Sequence, residues 1–580
     1  MICFPIELLS CIFDHSSKQD QLVSQFVCYA WHVPAKRAFY SNVTIEEKHD
    51  DLNYNNLFRF KRFIECISRP DGHLPTPGQF IQSLAIRFDI ALEAKFMPTN
   101  ADFQLLAAAC PNLQELHFPS NMFWNDIMSI DNRNYWKRLR KVPQFKVTAE
   151  KQSIDKFLHF KSSLSYLHIA EWQSSKQDFA EMIKSFTHLE TLKITTRQGF
   201  TNLHDIIPTL VDCPNIAQLI MTSNSTVPTT VTIAAASNLI APRLRRLKLM
   251  SNTLDPRLVY TIANRFPDLN KLVLRFSQST NDPFIWSDDL QAAMSHMIRF
   301  LAGLYQAHID LFVPSYLIMH HLAKQFYAAS PACTVPAKPK LCITYGSCSS
   351  FTTGQPDFSF RKQDSAARLH LGYQGYLPTD LLVTNLPHIS FLQEVGYLID
   401  QLSIQFPSSL LGCPQFVQTT LTTYCPNLKT FNLVQGSFDM VASNLELSST
   451  HLICVSMERS LITLESLYHL SKLYASSLEY LKLENCILPN SMGNIVSINM
   501  PFTRFKRLAI LQSYKNQDIV MVSITEKETE RTTLYHYMTR TENLVPETPT
   551  ALLKENSSVS LSITCFSLAQ LCLNTCQIAL

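Results

Sequence analysis

Apolar residues along the chain recur in a triplet, at positions one, four and six of a short stretch with mostly polar residues between them. Alternation of this kind predicts a β-strand that buries one face. Helical patterns precede several copies, as in Phe179, Met182, Ile183 and Phe186, so the chain predicts an α/β fold. The clear copies of this leucine triplet are Leu113-Leu116-Phe118, Leu164-Leu167-Ile169, Leu189-Leu192-Ile194, Ile216-Leu219-Met221, Leu244-Leu247-Leu249, Leu269-Leu272-Leu274, Leu428-Phe431-Leu433, Leu478-Leu481-Leu483, Phe505-Leu508-Ile510 and Leu568-Leu571-Leu573.

The triplets return at a nearly constant interval. From Leu164 the next copies begin 25, 27, 28 and 25 residues on, at Leu189, Ile216, Leu244 and Leu269. A period in the mid-twenties with L-x-x-L-x-L is the leucine-rich repeat signature. It predicts a solenoid over 46–580, with a curved parallel sheet on the concave side and helices on the convex side.

The period is irregular in two places, 275–399 and 511–567, where insertions are expected. Within the second, "DIVMVSIT" and "TTLYHYMT" flank the polar "EKETER" and predict an inserted hairpin. Weaker triplets, which we interpret as degenerate units, are Ile81-Leu84-Ile86, Lys338-Leu341-Ile343, Ala366-Leu369-Leu371, Ile399-Leu402-Ile404 and Leu452-Val455-Met457.

Three triplets follow the tripeptide Cys-Pro-Asn, at Cys110, Cys213 and Cys425. The cysteine falls where other units have a phenylalanine, so we interpret it as the last buried anchor of the preceding helix. The proline ends that helix and the asparagine suits the turn into the strand. A metal ligand is the alternative, but no second Cys or His stands at ligand spacing.

Composition narrows the classes of function. The 580 residues are 46% apolar and 17% charged, which is typical of a globular protein, and a net charge of +3 does not favour nucleic-acid or membrane binding. Only 12 glycines argue against phosphate loops and dinucleotide folds. No catalytic motif is found, so we expect neither an enzyme nor a cofactor nor a metal. The 16 cysteines, without a secretory leader or membrane span, predict a reduced protein of the cytoplasm, the nucleus or both.

The first forty residues have a different pattern. Pro5 suits the first turn of a helix with an apolar stripe, Asp20 is expected to cap a second helix, and Trp31 lies on a third. Three short helices form a small core, so much of their apolar surface needs a partner. Tyr40-Val43-Ile45 then predicts the first strand of the array.

This segment, 1–45, resembles an F-box, whose pattern is L-P-x-E-L-L-x-x-I-F, then D-L, then V-C-x-x-W. Phe4 replaces the first leucine, and Ser16 and Gln21 stand where leucines are common. The matching residues are Pro5, Glu7, Leu8, Leu9, Ile12, Phe13, Asp20, Val27, Cys28 and Trp31.

F-box proteins with leucine-rich repeats are substrate receptors of Skp–cullin–F-box (SCF) ubiquitin ligases. The resemblance implies a non-catalytic chain that binds the Skp adaptor, and through it cullin, with its helices and a protein substrate with its repeats. The alternative is an interaction scaffold with a degenerate F-box, which Ser16 and Gln21 favour. The candidates for the adaptor interface, unless they only pack the helices together, are Pro5, Leu8, Leu9, Ile12, Phe13, Val27 and Trp31.

Basic residues alternate with the leucines in neighbouring units. Lys193, Arg246, Lys248, Lys271 and Arg275 are predicted on the concave face, where they favour an acidic or phosphorylated segment of the substrate. The alternative is a solvated face without a role. The basic motifs "WKRLRK" (136–141) and "RLRRLK" (243–248) suggest nucleic acid, which the small net charge does not support. The pair His320-His321 lies in an apolar helical pattern, which favours a structural role over a metal site.

Overall fold

A computed structural model describes most of the chain, and within this part no helix is both long and apolar enough to cross a membrane. The chain divides into two compact units, Met1–Val273 and Leu274–Leu580. The predicted boundary at residue 45 lies inside the first unit. The described residues are 4–46, 56–69, 75–87, 98–117, 127, 130, 135–142, 145–147, 158, 160–172, 176–196, 203, 206–223, 243–251, 256–276, 288–313, 316–329, 339–345, 357–364, 366–373, 387–407, 414–440, 451–488, 495–511, 519–538, 543–546, 560–574 and 576–579.

The first unit begins with three consecutive helices, and strands interspersed with further helices follow. The helices are α1 Ile6–Asp14, α2 Lys18–Ser24, α3 Tyr29–Ser41, α4 Asn56–Ser68, the 3₁₀ turn Pro77–Phe80, α5 Asn100–Ala109, α6 Lys176–Lys184, α7 Ile207–Asp212 and α8 Pro256–Arg265. The strands are β1 Asn42–Glu46, β2 Ser83–Arg87, β3 Glu115–His117, β4 Phe145–Val147, β5 Tyr166–Trp172, β6 Thr191–Thr196, β7 Gln218–Ser223, β8 Arg246–Ser251 and β9 Lys271–Phe276.

The strands of the first unit pair in parallel, with the leucines in register. β1, β2 and β3 form one run, and β4 to β8 form another. Leu167 lies opposite Leu192, which lies opposite Leu219, which lies opposite Leu247, and all four are buried. The predicted α/β class with a large, mostly parallel sheet is therefore confirmed.

The second unit adds two further sheets to a main one. Its helices are α9 Asp288–Gly303, α10 Tyr316–Ala329, α11 Pro387–Val395, the 3₁₀ turn Gly396–Leu398, α12 Pro414–Thr419, the π-helical turn Thr420–Tyr424 and α13 Leu464–Leu473. Its other strands are β10 Gln306–Phe312, β11 Lys340–Tyr345, β12 Asp357–Gln363, β13 Ala366–Tyr373, β14 Gln401–Gln405, β15 Thr430–Val434, β16 Ser437–Phe438, β17 Cys454–Glu458, β18 Leu461–Ile462, β19 Tyr480–Glu484, β20 Ile495–Phe505, β21 Arg507–Leu511, β22 Ile519–Glu526, β23 Arg531–Met538, β24 Asn543–Pro546, β25 Ser560–Leu568, β26 Gln570–Leu573 and β27 Cys576–Ala579.

An inserted hairpin explains the irregular spacing before residue 399. β12 pairs antiparallel with both β10 and β13, and β13 pairs parallel with β11, which continues to β14. The triplet at Ala366-Leu369-Leu371 was interpreted as a degenerate unit, and this was wrong: it is the second strand of the hairpin. Both leucines are buried, which is why the strand resembles a repeat in sequence.

The second predicted insertion is confirmed as a hairpin. β22 and β23 pair antiparallel around the turn at 527–530 and belong to a five-stranded sheet with β20, β24 and β25. β26 then returns to the main sheet beside β21. Predicted residues that lie outside the described part of the chain are Phe118, Lys338, Asp518 and Thr539.

In many of the parallel strands, one backbone carbonyl at the start of the strand joins that strand to the next. The carbonyl of Ser165 accepts the N–H groups of both Glu190 and Thr191, each at 2.9 Å. We call this acceptor the strand-start carbonyl. The same pattern of two donors recurs at Gln82, Gln114, Arg140, Glu190, Ala217, Arg245, Asp400, Lys429, Ile453 and Glu479.

The Cys-Pro-Asn tripeptide links one repeat to the repeat before it. The three cysteines are buried, and burial raises the pKa of Cys110 and Cys425 to about 12 and that of Cys213 to about 11. The asparagine amide then donates to a carbonyl of the preceding repeat. The three bonds are Asn112 to Gln79 at 2.8 Å, Asn215 to Thr187 at 2.6 Å and Asn427 to Tyr397 at 2.7 Å. The motif therefore anchors a helix and connects two neighbouring repeats.

Two glycines allow this close approach. Gly78 and Gly396 immediately precede the acceptors Gln79 and Tyr397. A Cβ at Gly396 would overlap the carbonyl of Tyr424, and one at Gly78 would overlap the carbonyl of Ala109. Both carbonyls belong to the residue before a Cys-Pro-Asn cysteine. The requirement for glycine at this position therefore holds in both compact units of the chain.

We expect Gly396→Ala to lower the free energy of unfolding by about 1–3 kcal/mol, because the backbone around Tyr424 must move to admit the methyl group. The matched control is Gly303→Ala, where an added Cβ meets no atom within 4 Å and stability should be kept or slightly raised. Urea unfolding of both variants measures the difference. Equal midpoints would contradict the close packing described here.

Candidate functional site: an apolar helical face and a basic strand face

The first three helices enclose a small core of their own. Leu9 and Phe13 of α1 pack with Ala35 and Ala38 of α3. Trp31 packs against this cluster, with its ring edge-on to Phe13 at a centroid distance of 5.5 Å. Two of the seven candidates for a partner interface, Leu9 and Phe13, are thus buried inside the helical unit, and Trp31 is partly buried.

α2 begins earlier than the sequence pattern predicted. Ser17, not Asp20, is its N-cap, and the Ser17 hydroxyl accepts the N–H of Asp20 at 3.1 Å. That hydroxyl also donates to the Asp20 carboxylate at 2.6 Å. The prediction that Asp20 caps the helix was wrong, because a serine three residues earlier provides the cap and leaves the carboxylate in the favourable first turn.

The two departures from the leucine pattern meet at the joint between α1 and α2. The Gln21 side chain is only 4% exposed, and its amide donates to the carbonyls of Phe13 at 2.6 Å and Ser16 at 3.2 Å. The Ser16 hydroxyl donates to the carbonyl of Ile12 at 2.8 Å. The N–H groups of His15 and Ser16 already donate to the carbonyls of Ile12 and Phe13, so these side chains add a second donor to each of these carbonyls at the end of α1.

The remaining apolar residues of this segment point to solvent. Leu8 is 53% exposed, Ile12 51% and Val27 58%, and Pro5 is exposed as well. Further exposed apolar side chains on the same helices and turns are Phe4, Ile6, Leu22, Val23, Phe26 and Tyr29. We call this set, with Leu8, Ile12 and Val27, the apolar helical face. Large exposed apolar surface of this kind marks interaction sites.

The second surface consists of strand positions that alternate with the leucines in the first unit. Lys193 of β6 lies opposite Ile220 of β7, which lies opposite Lys248 of β8. Neighbouring strands are about 4.8 Å apart, so the two lysines begin roughly 10 Å apart on one face. Burial, and then the charges of Lys248 and Lys141, lower the pKa of Lys193. The three ammonium groups therefore share one electrostatic environment.

Lys141 joins this surface although it does not belong to a complete leucine triplet. It forms isolated bridges with Glu115 and Tyr166, and its ammonium lies 5.0 Å from the centre of the Tyr166 ring and 3.8 Å from the Glu115 carboxylate. The sequence does contain one signal of a repeat here. Leu139 lies 26 residues after Leu113 and 25 residues before Leu164, although the triplet that starts at Leu139 is incomplete.

The five predicted basic residues differ in their surroundings. Arg275 is paired with Asp310, at 3.3 Å between Nε and Oδ2. Within the described part of the chain, no carboxylate lies in ion-pair distance of the other four, Lys193, Arg246, Lys248 and Lys271, which with Lys141 we call the basic face. The contrast is with Lys482 of β19 in the second unit, whose ammonium is 2.6 Å from Glu484.

His168 lies within the basic face but adds no charge near neutral pH. It is opposite Lys193 in the strand register, and its Nε2 lies 3.1 Å from the Thr195 hydroxyl. Burial, and then the charge of Lys193, lower the pKa of His168 to about 4. The face therefore depends on its lysines and arginine for charge.

The adjacent histidines in α10 have structural contacts. His320 is buried, its Nε2 lies 2.8 Å from the Tyr373 hydroxyl, and its ring stacks on Phe391 at 5.0 Å. His321 contacts the Gln325 amide at 2.6 Å. Across the described residues, no group of three or more His, Cys, Asp or Glu side chains is arranged to hold a metal ion.

Comparison with known proteins finds a weak structural likeness. No family model matches the chain, and no curated protein matches it. A chain from the structure of the Toll–Spätzle complex of Drosophila is 13% identical, with 91% of this chain and 74% of that chain covered and a TM-score of 0.28. At that TM-score the likeness carries no argument about fold or function.

The buried His320 makes stability depend on pH. Burial, and then the charge of Lys324, lower its pKa from 6.5 to about 4. The unfolded chain binds a proton between these values and the folded chain does not, so the contribution is complete above pH 6.5 and is lost as the pH falls toward 4. The loss is on the order of 3 kcal/mol.

We therefore expect His320→Gln to reduce the decline in melting temperature between pH 7 and pH 4.5. Thermal unfolding followed by circular dichroism at several pH values measures this. His321→Gln is the matched control, since burial lowers the pKa of His321 less strongly, and its profile should stay close to that of the unmodified chain. Identical profiles for all three proteins would contradict the assignment.

Proposed function

We propose that this chain is a substrate-recognition subunit of an SCF-type ubiquitin ligase. In this role α1 to α3 are an F-box that binds the Skp adaptor, and through it cullin. The strands that follow form a leucine-rich-repeat solenoid that binds a protein substrate. The chain contributes proximity between the substrate and the transfer machinery and no nucleophile of its own. The observation that carries the proposal is the apolar helical face.

The distribution of the F-box-like residues supports this role. Leu9 and Phe13 stabilise the helical core, whereas Leu8, Ile12 and Val27 remain exposed. Fully burying an exposed apolar side chain contributes about 1.5–3 kcal/mol, and these three side chains are already about half buried, so each contributes about half of that value to a partner interface. If the helices bound no partner, this apolar surface would remain exposed to water.

An interaction scaffold outside any ligase is the second candidate. The observation in its favour is the buried Gln21, a polar side chain at a position where the F-box pattern has leucine. Such a chain would keep the repeat array as its binding surface and would not bind the adaptor. The first experiment separates the two functions.

We expect co-expressed Skp adaptor to be retained by the full chain, and Leu8→Asp combined with Ile12→Asp to weaken that binding by about 100-fold or more. The reason is that two buried apolar contacts are replaced by carboxylates that lose their hydration. Both positions are about half exposed, so the variant should remain folded. Pulldown followed by titration with the purified adaptor measures the change.

The matched control is Leu105→Asp, an equally exposed leucine (58%) on α5, which should bind the adaptor like the unmodified chain. Leu9 is unsuitable for the test because its burial would confuse loss of binding with unfolding. A folded, unmodified chain that does not bind the adaptor would reject the ligase role and leave the scaffold.

For the substrate, we propose an acidic or phosphorylated segment that binds the basic face. Lys193 and Lys248 are half-buried and lack a carboxylate partner in the described part of the chain, so an incoming anion replaces repulsion with attraction. Lys482 is different, because Glu484 already neutralises it. The proposal places the substrate on the first unit.

We expect Lys193→Gln with Lys248→Gln to weaken binding of an acidic probe peptide by at least about tenfold, because two of the facing charges are removed. A ten-residue glutamate-rich peptide and its phosphoserine counterpart serve as probes in fluorescence anisotropy at fixed ionic strength. Lys482→Gln should change the affinity less than about twofold. Equal losses in the two variants would mean that only net charge matters, and would reject a defined site.

A further inference from the structure

The basic motif Trp136–Lys141 divides between two surfaces. Lys141 belongs to the basic face, whereas Lys137, Arg138 and Arg140 line a separate pocket of about 670 Å³. This pocket lies where the strands of the first unit begin, since the residues before β3, β5 and β6 also line it. All of its lining side chains are polar or charged. Most small-molecule pockets are predominantly apolar, so this composition indicates a strongly hydrophilic ligand.

The basic turn is held rigidly before any ligand arrives. Trp136 and Leu139, on either side of Lys137 and Arg138, are both buried. The Leu139 N–H donates to the Trp136 carbonyl at 2.9 Å. Trp136 has a φ of 50°, in the left-handed region that a non-glycine residue occupies only when its surroundings fix it. The directions in which Lys137 and Arg138 leave the backbone are therefore set by the fold.

The floor of the pocket is equally fixed. It is lined by Gln114, Arg140, Ser165 and Glu190. Their backbone carbonyls are four successive strand-start carbonyls of the ladder described above. Asn215, also in the lining, is held by its bond to the Thr187 carbonyl. A backbone fixed in this way lowers the free-energy cost of ordering the site, and only the exposed side chains of Lys137, Arg138 and Arg140 lose freedom on binding.

The charge of the pocket is not balanced. Two guanidinium groups and one ammonium face a single carboxylate, that of Glu190. Among the described residues, none of the three cations has a carboxylate within ion-pair distance. Arginine matches the geometry of phosphate oxygens with two parallel hydrogen bonds, and lysine adds a point charge.

We propose that this pocket binds a small molecule that carries more than one phosphate group. The volume lies within the range of about 300–1,000 Å³ that is typical of small-molecule sites and exceeds what a single phosphate fills. The three cations bind the phosphates, the serine hydroxyls donate to the remaining oxygens, and Glu190 accepts from a hydroxyl of the ligand. The site is independent of the proposed ligase role.

Isothermal titration of the full chain with inorganic pyrophosphate, at fixed ionic strength, tests the proposal. We expect Arg138→Gln combined with Arg140→Gln to weaken binding at least tenfold. The matched control is Arg245→Gln, an exposed arginine that also precedes a strand but does not line the pocket, and its affinity should match that of the unmodified chain. All substituted side chains are exposed, and equal melting temperatures verify that each variant is folded.

Three results would overturn the inference. The first is undetectable binding by the unmodified chain, and the second is an equal loss of affinity in the Arg245→Gln control. The third comes from a second arm, in which a phosphoserine peptide replaces pyrophosphate. Tighter binding of the peptide would reject a free small molecule as the ligand, whereas tighter binding of pyrophosphate supports it.

Discussion

The bond pattern at the strand-start carbonyls is the constraint on which the other features depend. One carbonyl accepts two successive N–H groups of the next unit, so each strand has only one register relative to its neighbour. Side chains alternate between faces, and a slip of one residue would move every leucine into solvent and every lysine into the core. The fixed register is therefore what makes both the buried leucine ladder and the opposite, polar face possible.

That register converts a sequence period into an electrostatic pattern. Lys193 and Lys248 meet on one face because their strands are aligned by their leucines and not because they attract each other. Lys482 instead lies beside Glu484, two residues further along the same strand and on the same face, where the charges cancel. Two stretches of similar backbone thus differ in charge. Function on such a scaffold resides in the alternating positions, whereas the leucines decide only stability.

The sequence predicted the strands well, since burial of alternate residues is a local property that the triplets record directly. It failed where the pairing partner matters. Leu369 and Leu371 look like a repeat, yet their strand lies between β12 and β11, and no spacing rule encodes that choice of neighbour. Lys141 was missed because the triplet of its repeat unit has Leu139 and Val142 but a glutamine, Gln144, at the third position. Leu9 could not be separated from Leu8, because an amphipathic stripe does not say which edge a third helix covers.

Gln21 bears directly on which function the helices support. Its amide donates to the carbonyls of Phe13 and Ser16 at the end of α1. The buried polar side chain therefore helps to hold α1 and α2 together. The side chains of Leu8, Ile12 and Val27 are exposed, and only the backbone carbonyl of Ile12 takes part in that joint. A substitution acts on binding through the surface that a partner contacts, or through the packing that holds that surface. Here Nε2 of Gln21 makes its bonds, whereas Oε1 of Gln21 is buried without a hydrogen-bond partner among the described residues, and the exposed side chains keep the F-box residue types. On this argument the two departures weigh less against adaptor binding than the sequence pattern suggests.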